Sequence, residues 1–436
     1  MKLIQYILLA CTALFSCTPE PLPRPNPCLN PPCDSIPKTK TKLELVWQTA
    51  LRTDSFYSTT NAYALWKQQV VYGIDQTTKG KIVFFDAASG QRNILWAGQN
   101  RANNFKDAKL YRDKFYLTNS PTIYVFDEPD RVRELFSFDT RNECGTLGEG
   151  FSLFGNYLYI PSTECLSESI SDYARISRID LHSNQRQVVF QLNTVDSFGE
   201  NRLCYFDRPA FWINHDGDSC LLNTYGSIPN DQSLTEGGVL LYNITQDRTE
   251  WHIRNFTPRG DMALHGPLVS GDRAYLVSLD SIHCLDIPTG KRIWAIDDHY
   301  AVDGFKGFDP NNSDLHIVED KLYVNNRGVF MCLDAKTGAQ IYGRADQNSS
   351  KNNSKKTYFD GVFYYTSLSE GRLYGVRASD GKLIMNDRSP NKGGVPFYDS
   401  PNFGDSGVVI DEANRLLYTS DGHFALCFKI PENFGK

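Results

Sequence analysis

The chain has 436 residues, 45 Lys and Arg against 51 Asp and Glu, a net charge of −6 and an aromatic content of 13%. A net acidic chain with no basic tract argues against nucleic acid as a partner, and its 23 Tyr and 26 Phe suit stacked β-sheet. After the first apolar run no segment is long enough for a transmembrane helix, so membrane attachment is expected through lipid only.

In chain order, Lys2 supplies a positive start and residues 3–15 form an apolar run too short to span a bilayer, as an export signal should be. The run ends Leu14-Phe15-Ser16-Cys17, which resembles a bacterial lipobox: a branched residue, two positions on a small one, then Cys. Phe15 is bulkier than that pattern favours, and the alternative is a plain signal peptide with a chance Cys. The spacing predicts a signal peptide over 1–16, lipidation at Cys17 and a tether over 17–42. Pro19, Pro21, Pro23, Pro25, Pro27, Pro31, Pro32 and Pro37 keep that tether extended and solvated. Cys28 and Cys33 lie within it, with no His nearby, and in an oxidising envelope they are expected to close a small loop.

The globular part is predicted over 43–436. Leu43-Glu44-Leu45-Val46-Trp47 reads as an outer strand with no blade before it. A repeat of roughly fifty residues follows, clearest at Cys284-Leu285-Asp286-Ile287-Pro288-Thr289-Gly290-Lys291-Arg292-Ile293-Trp294 and at Cys332-Leu333-Asp334-Ala335-Lys336-Thr337-Gly338-Ala339-Gln340-Ile341-Tyr342. Related copies begin at Phe85-Asp86 and Val376-Arg377, and degenerate ones at Val125-Phe126-Asp127, Arg178-Ile179-Asp180 and Leu241-Tyr242-Asn243. A four-stranded unit leaves one face bare, so such units must stack around an axis. Strand pairs place blades near 69–96, 113–136, 155–190, 208–253, 272–296, 320–343 and 361–385. The eighth starts at Arg415-Leu416-Leu417-Tyr418 and lacks an outer strand. The expected fold is all-β, an eight-bladed β-propeller with seven blades as the fallback, closed by pairing of the N-terminal strand with the last blade. Trp47, Trp96, Trp251 and Trp294 are expected to wedge between blades.

The Leu-Asp-x-x-x-Gly-x-x-x-Trp spacing resembles the repeat of the quinoprotein-like propellers. That superfamily includes pyrroloquinoline-quinone alcohol dehydrogenases and the propeller lipoprotein of the outer-membrane β-barrel assembly machinery. A dehydrogenase of that kind would imply a quinone on the axis, a calcium ion, a catalytic Asp and a vicinal disulfide. This chain has no adjacent cysteines and no long insertion to roof a cofactor, so no cofactor, no metal and no catalytic residue are expected.

Cys284, Cys332 and Cys427 share one phase in three repeats and read as buried fillers. Cys204 with Cys220, and Cys144 with Cys165, are candidate disulfides whose pairing sequence leaves open. Gly404-Asp405-Ser406-Gly407 matches a protease nucleophile tetrapeptide but reads as a turn. Arg259-Gly260-Asp261 reads as an exposed turn, and 309–320 as a poor calcium loop. Aligning the inner strands places Asp107, Gly150, Asp207, His265, Asp314, Ser354 and Ser406 at equivalent positions before them. Asp107, His265 and Asp314 are expected to form a solvated acidic patch at the mouth of the channel, suited to a cationic or hydroxyl-rich partner. Long excursions at 163–173 and 227–237 decorate the third and fourth blades, where recognition tends to sit. Two functions follow: a lipid-anchored, non-catalytic scaffold for envelope or outer-membrane proteins, or an extracellular module binding a small molecule or glycan at the mouth.

Overall fold

The computed structural model describes residues 41–436, apart from 52–59, 75–79, 98–104, 120, 139–142, 148–149, 168–169, 194–201, 230–235, 258–265, 279–280, 298–313, 327–328, 346–353, 368–369, 392–400 and 405. Every regular element among these residues is a β-strand, and the strands form eight antiparallel sheets. Blades 1 to 7 take their strands in chain order over 60–97, 105–137, 143–193, 202–257, 268–297, 314–345 and 357–388. The first strand of each lies at the axis and the last at the rim.

Blade 8 is assembled from both ends of the described chain. Its inner strands Val409–Asp411, Leu416–Ser420 and Phe424–Lys429 are completed at the rim by Glu44–Ala50. The register runs from Glu44 opposite Lys429 to Ala50 opposite Phe424, with a bulge between Leu45 and Trp47. The predicted count and the predicted closure both hold.

The core is an annulus. Eight apolar clusters fill the eight joints, each built from the facing sides of two neighbouring blades. At the closing joint Trp47, Tyr418 and Cys427 of blade 8 meet Tyr72, Val83 and Phe85 of blade 1. The Cys positions explain themselves here. Cys284 lies between Tyr275 and Trp294, Cys332 between Tyr323 and Tyr342, and Cys427 between Tyr418 and Trp47. All three are buried, and burial pushes the thiols of Cys284 and Cys427 up to about 11 and about 12. Such thiols are small hydrophobes, not nucleophiles.

The repeated turn does two jobs. The Asp86 and Asp334 carboxylates accept the backbone N–H of Ser89 and Thr337, each at 2.8 Å, and the Asp286 carboxylate accepts that of Thr289. The Gly four residues after each Asp donates its N–H back to the carbonyl of that Asp. The aromatic ring of the preceding blade then lies on that Gly. Trp47, Trp251 and Trp294 donate their indole N–H to the carbonyls of Ala87, Ile287 and Ala335 at 3.0, 2.8 and 3.2 Å, and the Tyr342 hydroxyl donates to Ala378 at 2.6 Å. A Cβ at Gly90, Gly290, Gly338 or Gly381 would come within 2.5 to 2.9 Å of those rings. Trp96 wedges edge-on against Tyr124 and Phe126.

The degenerate copies keep the device with other chemistry. Asn184, at φ +60°, stands where Gly stands elsewhere, and Arg133, in the phase of the Trp, donates to its side-chain oxygen at 3.2 Å. In the seventh blade Arg377 replaces the turn Asp and binds Asp380 through two N–H groups, at 3.0 and 2.8 Å.

Candidate functional site

Asp107, Asp314 and Ser354 hold corresponding places at the starts of their blades' inner strands. Asp107 pairs with Thr118, and Asp314 with Asn325. The Ser354 N–H donates to the Thr366 carbonyl, and the Thr419 hydroxyl to the Gly407 carbonyl. These positions link neighbouring blades. Asp107 of blade 2 accepts the Phe151 N–H of blade 3 at 3.2 Å, and Asp314 of blade 6 accepts the Lys356 N–H of blade 7 at 2.8 Å. The Thr357 hydroxyl donates to Val408, and the Ala62 N–H to Ser406, carrying the belt on through blades 8 and 1.

This overturns the expectation of a solvated acidic patch. The side chain of Asp107 is only 5% exposed and that of Asp314 21%. They sit on opposite parts of the ring, each committed to a neighbouring blade, because a backbone N–H left unpaired at a blade joint is costly. His265 lies outside the described residues. Burial alone would push the Asp314 carboxyl up, but His316 at 3.1 Å, together with the charge and N–H of Lys356, holds it below the usual carboxylate range. Burial pushes the Lys356 ammonium down against the pull of Asp314.

Two lysines and an arginine stand near Asp107. Lys109 of blade 2 lies 3.5 Å from the Asp107 carboxylate, and Lys355 of blade 7 reaches the same carboxylate at 3.9 Å. Arg208 of blade 4 lies close to the same carboxylate: a Cβ at Gly150 would lie 2.9 Å from Asp107 Oδ2 and 3.3 Å from Arg208 Cδ. The Lys109 ammonium also donates to the Phe151 carbonyl and sits over the Phe151 ring. Burial, with Arg208 and Lys355 close by, brings its pKa down to about 8 although Asp107 pulls the other way. Lys109, Arg208 and Lys355 were not singled out from the sequence. The available signal was position, since each lies within two residues of Asp107, Asp207 or Ser354.

The excursions of blades 3 and 4 are extended hairpins. The strands Tyr157–Ser167, Ile170–Asp180 and Ser219–Pro229 each run to eleven residues, and they recruit the added inner strands Glu143–Leu147 and Arg202–Phe206. Ala174, Ile176, Cys204, Phe206 and Tyr225 bind the two extensions into one wall beside Arg208.

The proposed Cys204–Cys220 disulfide does not form. Cys204 lies opposite Ser227, whereas Cys220 lies at the far end of that same strand opposite Trp212 and Asn243. Seven residues of extended strand separate the two, roughly 23 Å, against the Cα separation under about 7 Å that a bridge needs. Burial pushes the Cys220 thiol up to about 11. Cys144 and Cys165 lie on neighbouring paired strands, but their side chains, like Cys17, Cys28 and Cys33, fall outside the described residues, as do 259–261. Ser406 is buried in a turn, its N–H donating to Phe403. The strand Asp314–Val318 separates Asp314 from Asp320, so those two cannot share a calcium loop. Among the described residues no group of His, Cys, Asp and Glu is arranged to hold a metal ion, and no helix is long and apolar enough to cross a membrane.

The blades, their turns and their wedges define an eight-bladed propeller of the quinoprotein-like repeat type. The family model described as outer membrane protein assembly factor BamB matches residues 235–398, the span holding the clearest repeats, and the chain is a propeller resembling that factor. Among solved structures, BamB from Moraxella catarrhalis aligns at a TM-score of 0.41 and 12% identity, over 90% of this chain and 98% of that one. No curated protein matches in sequence.

Proposed function

We propose that the protein is a lipid-anchored, non-catalytic propeller scaffold of the bacterial envelope, holding protein partners of outer-membrane assembly. The observation that carries this reading is how the repeat uses its reactive side chains. Its Asp residues cap turns, its Trp and Tyr residues dock on neighbouring blades, and its Cys residues fill the core. What remains for function is surface, raised on one side by the blade 3 and blade 4 hairpins. The name of the matched family points the same way, to assembly of outer-membrane proteins. Lipid at Cys17, the tether over 17–42 and the propeller over 43–436 supply the anchoring this role needs. A second reading, a module for a small molecule or glycan at the mouth, draws on the charged residues Lys109 and Lys355 about Asp107.

The test is crosslinking of the full chain in intact membranes, followed by mass spectrometry. Outer-membrane assembly proteins crosslinked to the hairpins at 163–173 and 227–237 support the scaffold. A crosslinking pattern equal to that of an unrelated envelope lipoprotein overturns it.

A further inference from the structure

We propose that residues 431–436 are a releasable wedge: they close the joint between blades 7 and 8 at its turn end and can leave it while the other joints stay shut. The observation is a break in the row of side chains that seals a joint. In blade 5 the row Tyr275, Cys284, Trp294 crosses three strands, and both rings donate to the Ala335 carbonyl of blade 6, at 3.1 and 3.2 Å. In blade 8 the row Tyr418, Cys427, Trp47 does the same to Ala87 of blade 1, at 3.2 and 3.0 Å. Blade 7 has Tyr364, Gly375 and Met385 in those places. Met385 has no proton to donate, and the buried Tyr364 hydroxyl has no hydrogen-bond partner among the described residues.

The receiving side differs too. Ala87, Ile287, Ala335 and Ala378 each donate their N–H to the turn between the first two strands of their own blade, and Ile430 donates likewise to Arg415. Ile430 thus holds the Ala335 place in blade 8, but its carbonyl accepts the Arg415 guanidinium of its own blade at 3.3 Å. Where other blades turn back through Asp and Gly, 431–436 crosses to blade 7. The Phe434 ring lies against that of Tyr364, centroids 6.4 Å apart and 17° from parallel. Gly435 closes on the first turn of blade 7, where a Cβ would stand 2.5 Å from the Asp360 carbonyl oxygen and 2.8 Å from Val362. Arg415 ties the two, donating to the Asp360 carboxylate at 2.6 Å and the Pro431 carbonyl at 2.8 Å.

Trp294 and Trp47 ride on paired strands and can leave only with them. Phe434 is carried by six residues with one backbone hydrogen bond among them, from Lys436 to Asn433 at 3.1 Å, and four of the six are exposed. So few contacts put a segment at the low end of local opening free energy. Release also gives the Tyr364 hydroxyl the water it lacks when buried. It uncovers an apolar slot of Val362, Tyr364 and Met385.

Two methionines report the device. Met385 and Met331 are each 1% exposed, the first in this joint and the second between blades 5 and 6. The experiment is slow oxidation of the full chain by dilute hydrogen peroxide, with each methionine sulfoxide read by mass spectrometry. In the wild type Met385 should oxidise about tenfold faster than Met331. Gly435→Ala, which no longer fits against Asp360, and Phe434→Ala should each speed Met385 about tenfold further and leave Met331 unchanged. Glu432→Ala, an exposed position on the same segment, should change neither. Equal rates at the two methionines in the wild type, rates that rise together in the variants, or a Met385 rate indifferent to both substitutions overturns the proposal. Circular dichroism of each variant checks that the fold is kept.

Discussion

At Gly338 the backbone has φ +75° and a Cβ would stand 2.7 Å from the Trp294 ring. Two costs therefore meet in Gly338→Ala: the left-handed conformation, roughly 1–2 kcal/mol for a residue with a Cβ, and displacement of a wedge that also donates to Ala335. Gly271 separates the two, because it has φ +57° with nothing within 4 Å. Urea unfolding should show Gly271→Ala losing about 1 kcal/mol and Gly338→Ala about 2–4 kcal/mol; equal losses would mean the wedge contributes nothing. Asp314 gives a second residue-scale test. Its removal leaves the buried Lys356, whose N–H it accepts, without its counter-charge, so Asp314→Ala should cost about 3–5 kcal/mol and Asp314→Asn less. The Asp314 carboxyl is held below its ordinary value, so the folded state binds fewer protons than the unfolded chain as pH falls through the ordinary carboxylate range, and stability is lost in that direction. The gap between wild type and Asp314→Ala in urea midpoint should accordingly shrink from pH 6 toward about pH 3; a constant gap would sink the account. The Asp-Gly turns and the Cys fillers were legible in sequence because a repeat shows the same residue in the same phase. The approach of Lys109 and Lys355 to Asp107 was not, since single Lys residues on two blades come together only once the ring closes.

Among the elements, Glu44–Ala50 is the one whose place is set by closure and not by its neighbours in the chain. It covers the outer edge of Phe424–Lys429, and it carries Trp47 into the joint with blade 1 together with the buried Leu51, while Leu43 just ahead of it is buried in the joint with blade 7. Removing residues 1–47 takes away the wedge and its donation to Ala87 and exposes a strand edge. Removing 1–40 stops short of the described fold. The first truncation should lose at least about 5 kcal/mol, one large core aromatic being worth about 3–5 alone, while the second stays near wild type. Coincident urea transitions would refute the shared blade. This strand could be assigned from sequence because the terminal Trp has the phase of Trp294 and the last repeat lacks a partner. The inner strands of blades 3 and 4 could not. Each is split into two segments on one long second strand, as Glu143–Leu147 with Ser152–Phe154 and Arg202–Phe206 with Ala210–Ile213, and a repeat count expects one. The same extension moved Cys204 along its partner strand and undid the candidate disulfide with Cys220.

For the whole molecule the proposed scaffold role requires that the ring be held at a membrane. Its core lies in eight joints between blades, and none of the described strands needs an apolar solvent around the rim. Single exposed aliphatics such as Val46, Ile293 and Ile341 stand on separate outer strands, which is ordinary for a water-facing surface. On the proposed reading, attachment comes from the segment ahead of the propeller, where Cys17 follows a short apolar run and a Pro-rich stretch intervenes. A tether over 17–42, if extended as its prolines lead one to expect, would reach at most about 80 Å at roughly 3 Å per residue, enough to leave the propeller free to turn toward partners while its concentration near the membrane stays high. Acyl chains contribute about 0.8 kcal/mol per buried methylene, and stable anchoring takes more than one chain. Loss of the acylation site should therefore be all or none in fractionation. Cys17→Ser should move the protein from the membrane pellet to the soluble envelope fraction, with an unchanged urea midpoint because position 17 lies ahead of every described blade strand. Retention in the pellet after this substitution, together with an unmodified mass for the wild-type N-terminal peptide, would rule the anchor out and place the membrane contact on the propeller itself.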